Sequence, residues 1–134
     1  MALTPQDEFR LFNLGKAVDF AVEAFRSTIL INGGAAIALL AFASADAHLN
    51  PAGLKRSLVR FGIGALVATL GLVIAYVAQL LFADASHVGL TEPKRKSAEG
   101  WATCLRFAGA ACFFLSVVAF VAGVITASKA IFPS

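Results

Sequence analysis

The chain has 134 residues, 59% of them hydrophobic and 14% charged, with a net charge of +3 and a mean hydropathy of +0.82. A soluble domain carries about 25% charged and 45–50% apolar residues, so this composition argues against a water-soluble globule and places the chain among membrane proteins. The charges leave three uncharged windows, 27–45, 61–83 and 107–128, each close to the ~20 residues that a helix needs to cross a ~30 Å hydrocarbon core.

The first element starts at Thr4-Pro5-Gln6-Asp7. Thr4 can cap, Pro5 suits the first helical position, and Asp7 stands where a capping box wants an acid. Leu11, Leu14, Val18, Val22, Phe25 and Ile29 then recur every three or four residues, with Lys16, Asp19, Glu23 and Arg26 on the opposite face. That spacing predicts an amphipathic helix over 4–26. Its charged stripe reads either as a solvated face with i,i+3 and i,i+4 ion pairs or as a docking face for a protein partner along 9–26. No helix breaker separates it from the first window, so one long helix is expected from about Pro5 to about Ala47, with 27–47 as the first span.

Inside that span lies ILINGGAAIALLAF, residues 29–42. Asn32-Gly33-Gly34 would be a tight turn in a soluble protein. Backbone polar groups facing lipid must be bonded within their own segment, and a turn here would leave two pieces too short to span. A continuous helix is expected; a broken helix is the alternative. Ala43-Ser44-Ala45 and Ala45-Asp46-Ala47 have the form of signal-peptide cleavage sites. The long N-terminal flank of mixed charge does not fit a signal peptide, so the span is read as retained.

Asn50-Pro51 predicts the next helix start, with Asn as cap and Pro in the first turn. The second span is read over 58–83. The short connection makes the first two helices an antiparallel hairpin. Lys55, Arg56 and Arg60 near its start can snorkel or meet lipid phosphates. Residues 84–100 read as a polar loop carrying Pro93 and the run Lys94-Arg95-Lys96, with Ser97 as the cap of a third helix. Trp101 stands near the membrane interface, where indole rings prefer to sit, and the third span is read over 102–128. Arg56, Arg60, Lys94, Arg95, Lys96 and Trp101 are the candidate headgroup anchors. The side with the N-terminus and the second loop holds seven Lys and Arg against four on the other. The positive-inside rule then predicts a cytoplasmic N-terminus and a periplasmic C-terminus.

Small residues align within each span: Ser27, Gly34, Ala38, Ala41 and Ala45 in the first; Gly64, Ala68, Gly71, Ala75 and Ala78 in the second; Gly109, Cys112, Ser116, Ala119 and Gly123 in the third. Such seams let helix backbones approach closely in lipid. They serve either packing within the chain or packing between copies. Asn32 and Gln79 fall at similar depths from the ends of their windows, with Tyr76 one turn deeper. Asn32–Gln79 is therefore the expected interhelical pair, and the level of Asn32, Gln79 and Tyr76 is the candidate polar lining of a pore.

No Asp, Glu, Lys, Arg or His lies in the three windows, which argues against proton relays and ion-coupled transport. His48 and His87 stand alone, and no nucleotide-binding or hydrolase motif appears. Cys104 and Cys112, eight residues apart on one helix, are too far apart for a disulfide. No catalytic residue, metal site or cofactor is read, and no nucleic-acid partner is implied.

LINGGAAIALLAF, following DFAVEAFRSTI, resembles the opening of a group of small bacterial inner-membrane proteins of unknown function. The likeness covers helix one, about a third of the chain. It implies a multi-pass protein of the bacterial inner membrane and transfers no functional residues. Some small multi-span bacterial proteins are phage-defence effectors that perturb the membrane; holins are also small, but this chain lacks their charged C-terminal tail.

The expected fold is all-α: a single membrane domain, a three-helix transmembrane bundle whose first helix extends into the cytoplasm. Three helices cannot enclose an aqueous path alone. The two functional expectations are a homo-oligomeric, channel-like or membrane-perturbing assembly, and an accessory or scaffold subunit of a larger membrane complex.

Overall fold

A computed structural model describes residues 5–45, 50–85 and 92–132. Apart from Asn50 and Phe132, these residues are helical: α1 (Pro5–Ala45), α2 (Pro51–Ala85) and α3 (Glu92–Ile131). Each helix contains a stretch long and apolar enough to cross a membrane: Gly15–Ser44, Pro51–Leu81 and Lys96–Ile131. α1 runs through Asn32-Gly33-Gly34 without a break, and neither glycine has a positive φ. The triplet is helix, not turn.

The helix ends follow local chemistry. The Asn50 side-chain oxygen accepts the backbone N–H groups of Ala52 and Gly53 at 3.1 and 3.3 Å. These are two of the amides that a helix start leaves unbonded. Pro51, which has no N–H to lose, takes the first helical position. The Asn50 N–H donates to the Ala130 carbonyl at 3.4 Å, tying the start of α2 to the end of α3. Lys129 in the last turn of α3 favours the negative end of the helix dipole.

One boundary differs from the sequence reading. Helix α3 begins at Glu92, so residues 92–100 of the expected loop are helical and Ser97 is no cap. Pro93 falls in the first turn, where proline costs no hydrogen bond, and Glu92 complements the dipole there. A proline read as a loop marker was a helix-start marker. The expected Thr4 cap lies outside the described residues.

Helices α2 and α3 pack antiparallel and share the largest interface; α1 lies mainly against α2 and touches α3 less. The contacts repeat one device: a side chain of one helix seated over a glycine of the next. Phe25 of α1 covers Gly71, Asn32 of α1 covers Gly64, Phe61 of α2 covers Gly123 of α3, and Ala130 of α3 covers Gly53. A Cβ at Gly71 would lie 2.5 Å from the Phe25 ring, and one at Gly123 2.5 Å from the Phe61 ring. A Cβ at either place would force the buried ring opposite to shift. Phe25 meets Phe113 edge-on at 5.7 Å and Phe61 meets Phe120 at 5.8 Å, ring pairings worth about 0.5–1.5 kcal/mol beyond burial.

The core is thin. Only 17% of the spanning window is buried in α1 and in α3, against 28% in α2. Leu30, Ile37, Leu66, Phe107 and Val118 are all at least 60% exposed. In water so much continuous apolar surface would drive association or aggregation; in a bilayer it faces acyl chains.

Candidate functional site

Among the described residues, Thr28, Asn32 and Ser116 gather near one level of the interior, while buried Ser57 donates to the Gly53 carbonyl at 3.0 Å further along α2. Thr28 back-bonds to the Ala24 carbonyl at 2.7 Å. The Asn32 amide nitrogen donates to the Thr28 carbonyl at 2.9 Å and to the Ser116 hydroxyl at 3.3 Å. Ser116 in turn donates to the Gly64 carbonyl at 2.6 Å. Asn32 and Ser116 are fully buried, and together with Gly64 they join all three helices. Local back-bonds of this kind satisfy hydroxyls and amides where no water reaches. One atom is left over: the Asn32 side-chain oxygen is buried and accepts no hydrogen bond. It lies where a Gly64 Cβ would be, so a Cα–H of Gly64 points at it. Such a contact is worth about 0.5–1 kcal/mol.

This arrangement corrects the expected polar level. Asn32 bonds to Ser116, not to Gln79. Gln79 lies about 22 Å further along α2 than Gly64, at 1.5 Å per residue, beside Ala17 and Ala21 of α1. Tyr76 is 64% exposed and stands with Gln79 at the cleft on the α1–α2 side, away from Asn32. The three residues are not brought together. Charge-free windows set edge to edge misjudge the register, because the charges at 16–26 occupy one face of a helix whose apolar span begins at Gly15. The actual register comes from the fit of Phe25 and Asn32 over their glycines.

The seams separate into two groups. Gly64, Ala68, Gly71 and Ala78 of α2 and Gly109, Ser116 and Gly123 of α3 are buried, and Ala75 is half-buried. They are used inside the chain. On α1, Ser27, Gly34, Ala38 and Ala41 are exposed, and nothing stands within 4 Å of a Cβ placed at Gly34. That seam is open.

The candidate anchors divide similarly. Arg56, Lys96 and Trp101 are exposed; the side chains of Lys94 and Arg95 lie outside the described set. Arg60 turns back onto α3, donating to the Ala122 carbonyl at 2.8 Å and to the Thr126 hydroxyl. The guanidinium thus clips α2 to α3. On the charged face of α1, Arg26 and Glu23 pair at 3.6 Å with both side chains exposed, an interaction of little energetic consequence. Lys16 stands 5.7 Å over the Phe12 ring.

An apolar cleft of about 400 Å³ opens between Ala17–Phe25, Ala75–Gln79 and Arg106–Phe114. A second, of about 460 Å³, lies on the α1–α2 side and shares Val18, Ala21, Phe25 and Gln79. Sequence reading missed both clefts and the Phe25 and Phe61 knobs. A glycine on a buried seam was the available signal, since it asks for a large side chain opposite.

Among the described residues no three His, Cys, Asp or Glu side chains stand close enough to hold a metal. Cys104 is exposed and Cys112 half-buried, both as free thiols. No family model, no curated protein and no solved structure matches the chain.

Proposed function

We propose that this chain is a non-enzymatic, multi-pass protein of the bacterial inner membrane that acts by self-association through α1, as a channel-like or membrane-perturbing assembly of the kind used in phage defence. In this reading α1–α3 form a three-helix transmembrane bundle, with the N-terminal part of α1 as an amphipathic cytoplasmic extension. The single observation that carries it is the open seam. The small residues of α2 and α3 are consumed by packing within the chain, whereas Ser27, Gly34, Ala38 and Ala41 face outward. Small exposed residues let a second helix approach closely in lipid, where packing drives association. The Asn32 level no longer supports a pore lining, because Asn32 is buried inside one chain. Any aqueous path would run between copies.

The test is cysteine cross-linking in native membranes, with Cys104 and Cys112 replaced by alanine. Gly34→Cys and Ala38→Cys should form disulfide-linked dimers, and Phe107→Cys, on the outer face of α3, should not. Equal cross-linking at all three, or none at the seam, would refute the reading. Leakage of a trapped dye from reconstituted vesicles then tests the membrane-perturbing part.

One observation favours the second reading, an accessory or scaffold subunit. Phe9, Phe12 and Phe20 are 67%, 62% and 75% exposed on the N-terminal stretch of α1, where a partner helix could cover them. Under that reading the purified chain is monomeric and joins a larger complex only when 9–26 is intact.

A further inference from the structure

Phe61, Gly64 and Gly71 of α2 and Ser116, Gly123 and Ala130 of α3 are buried where the two helices meet. The residue before each lies about 100° round its helix. In an antiparallel pair these two stripes adjoin and form one flank. Arg60 precedes Phe61, Ala122 precedes Gly123, and the Arg60 guanidinium donates to the Ala122 carbonyl across it at 2.8 Å. At one end the flank is basic. Arg60, Arg56 one turn before it, and Lys129, which precedes Ala130, are all exposed. Arg56 stands about 6 Å along α2 from Arg60, and Lys129 about 4.5 Å along α3 from Thr126, the other partner of Arg60. Both steps lead toward the same end of the antiparallel pair, so the two cations stand on opposite sides of one groove. Further along, the flank is apolar: Ile63, Leu70 and Leu115, which precede Gly64, Gly71 and Ser116, are at least 50% exposed. The change falls where the uncharged windows 61–83 and 107–128 end, beside Arg60 and Lys129.

Among the described residues no carboxylate balances these charges: 27–45, 50–83 and 100–131 contain no Asp or Glu. The two partners of Arg60 are neutral; they aim the guanidinium and leave its charge in place. The C-terminal dipole of α3 offsets about half a charge. We propose that this flank binds one anionic phospholipid, its phosphate among Arg56, Arg60 and Lys129 and an acyl chain lying along Ile63, Leu70 and Leu115. The proposal rests on the membrane part of the reading above and not on self-association. Charge and shape together select the occupant. A free anion would meet the cations and leave the apolar strip unused, and so would an acidic protein segment. A zwitterionic lipid brings a cation that the cluster repels. Arg60 to Leu70 spans about 15 Å at 1.5 Å per residue, enough to lie beside most of an acyl chain.

The experiment is native mass spectrometry of the full-length protein, purified in mild detergent and titrated separately with phosphatidylglycerol and phosphatidylcholine. One phosphatidylglycerol per chain should remain bound under conditions that strip phosphatidylcholine, and excess inorganic phosphate should not displace it. The double variant Arg56→Gln/Lys129→Gln leaves the Arg60 clip intact and should weaken retention about tenfold or more, the size expected for losing charge-assisted contacts. Lys129→Arg, which keeps the charge, and Lys16→Gln, an exposed cation on α1, should each change it less than twofold. Equal retention of the two lipids, displacement by phosphate, or equal loss in the double variant and in Lys16→Gln would overturn the proposal. A wild-type chain that retains neither lipid would overturn it as well. A chain that extracts from membranes with alkaline carbonate would sink the membrane reading itself. A monomer that still retains the lipid would sink only self-association.

Discussion

The Asn32 amide nitrogen stands 3.3 Å from the Ser116 hydroxyl and fastens α1 to α3 across the backbone of Gly64 in α2. It is a hydrogen bond that reaches α1 from another helix. Interhelical bonds in membranes average about 0.6 kcal/mol and reach about 1.7. A double-mutant cycle of Asn32→Ala and Ser116→Ala, read by unfolding in detergent, should return a coupling in that range. A coupling near zero would mean that the two side chains do not meet.

The glycines should divide sharply under alanine substitution. Gly33 has no neighbour within 4 Å of an added Cβ, so alanine there gains helix propensity of roughly 0.8–1 kcal/mol. At Gly71 the added Cβ would lie 2.5 Å from the Phe25 ring and 2.8 Å from Cys112, and at Gly64 it would collide with the Asn32 oxygen. Overpacking of this kind costs about 1–3 kcal/mol. Thermal melts of Gly33→Ala, Gly64→Ala and Gly71→Ala in one detergent check the order. A Gly33→Ala variant that alone fails to fold would restore the turn.

The start of α2 depends on Asn50, whose oxygen accepts two backbone N–H groups. Asn50→Ala should cost ~0.5–2 kcal/mol and Asn50→Asp much less, because aspartate caps equally well. Hydrogen exchange at Ala52 and Gly53 should rise in the alanine variant and not in the aspartate variant. Uniform protection in both would remove the cap from the account.

How much of this was visible in the sequence varies with the range of the interaction. Asn50-Pro51 was legible because a cap is a local event, decided within four residues. That the chain forms three helices long and apolar enough to cross a membrane was legible, because lipid excludes charge over a whole window. Glu92-Pro93 was misread because proline marks a loop and a first helical turn alike, and only the helix that follows tells them apart. The partner of Asn32 was not legible at all. Depth in a span fixes one coordinate, whereas the register between helices is set by which side chain fits over which glycine. Phe25 over Gly71 and Asn32 over Gly64 place Ser116 within reach and leave Gln79 several turns away. The open seam of α1 looked like its two counterparts in sequence, and packing alone separated them.

Orientation follows from charge. Seven Lys and Arg on the N-terminal side against four on the other predict a cytoplasmic N-terminus. Alkaline phosphatase, which must be exported to be active, should work when fused after Ser134 and fail when fused before Met1. The reverse pattern would invert the protein in the membrane.

Self-association through α1 is the central claim, and the mass of the purified protein in lipid nanodiscs tests it most directly. The account predicts a single assembly at an integer multiple, two or more, of the 13.9 kDa chain. Gly34→Leu should reduce it to the single chain with helical content intact, since Gly34 has no close neighbour within its own chain and only a second copy would meet the leucine. A wild-type particle of one chain, or a Gly34→Leu assembly of unchanged mass, would contradict it.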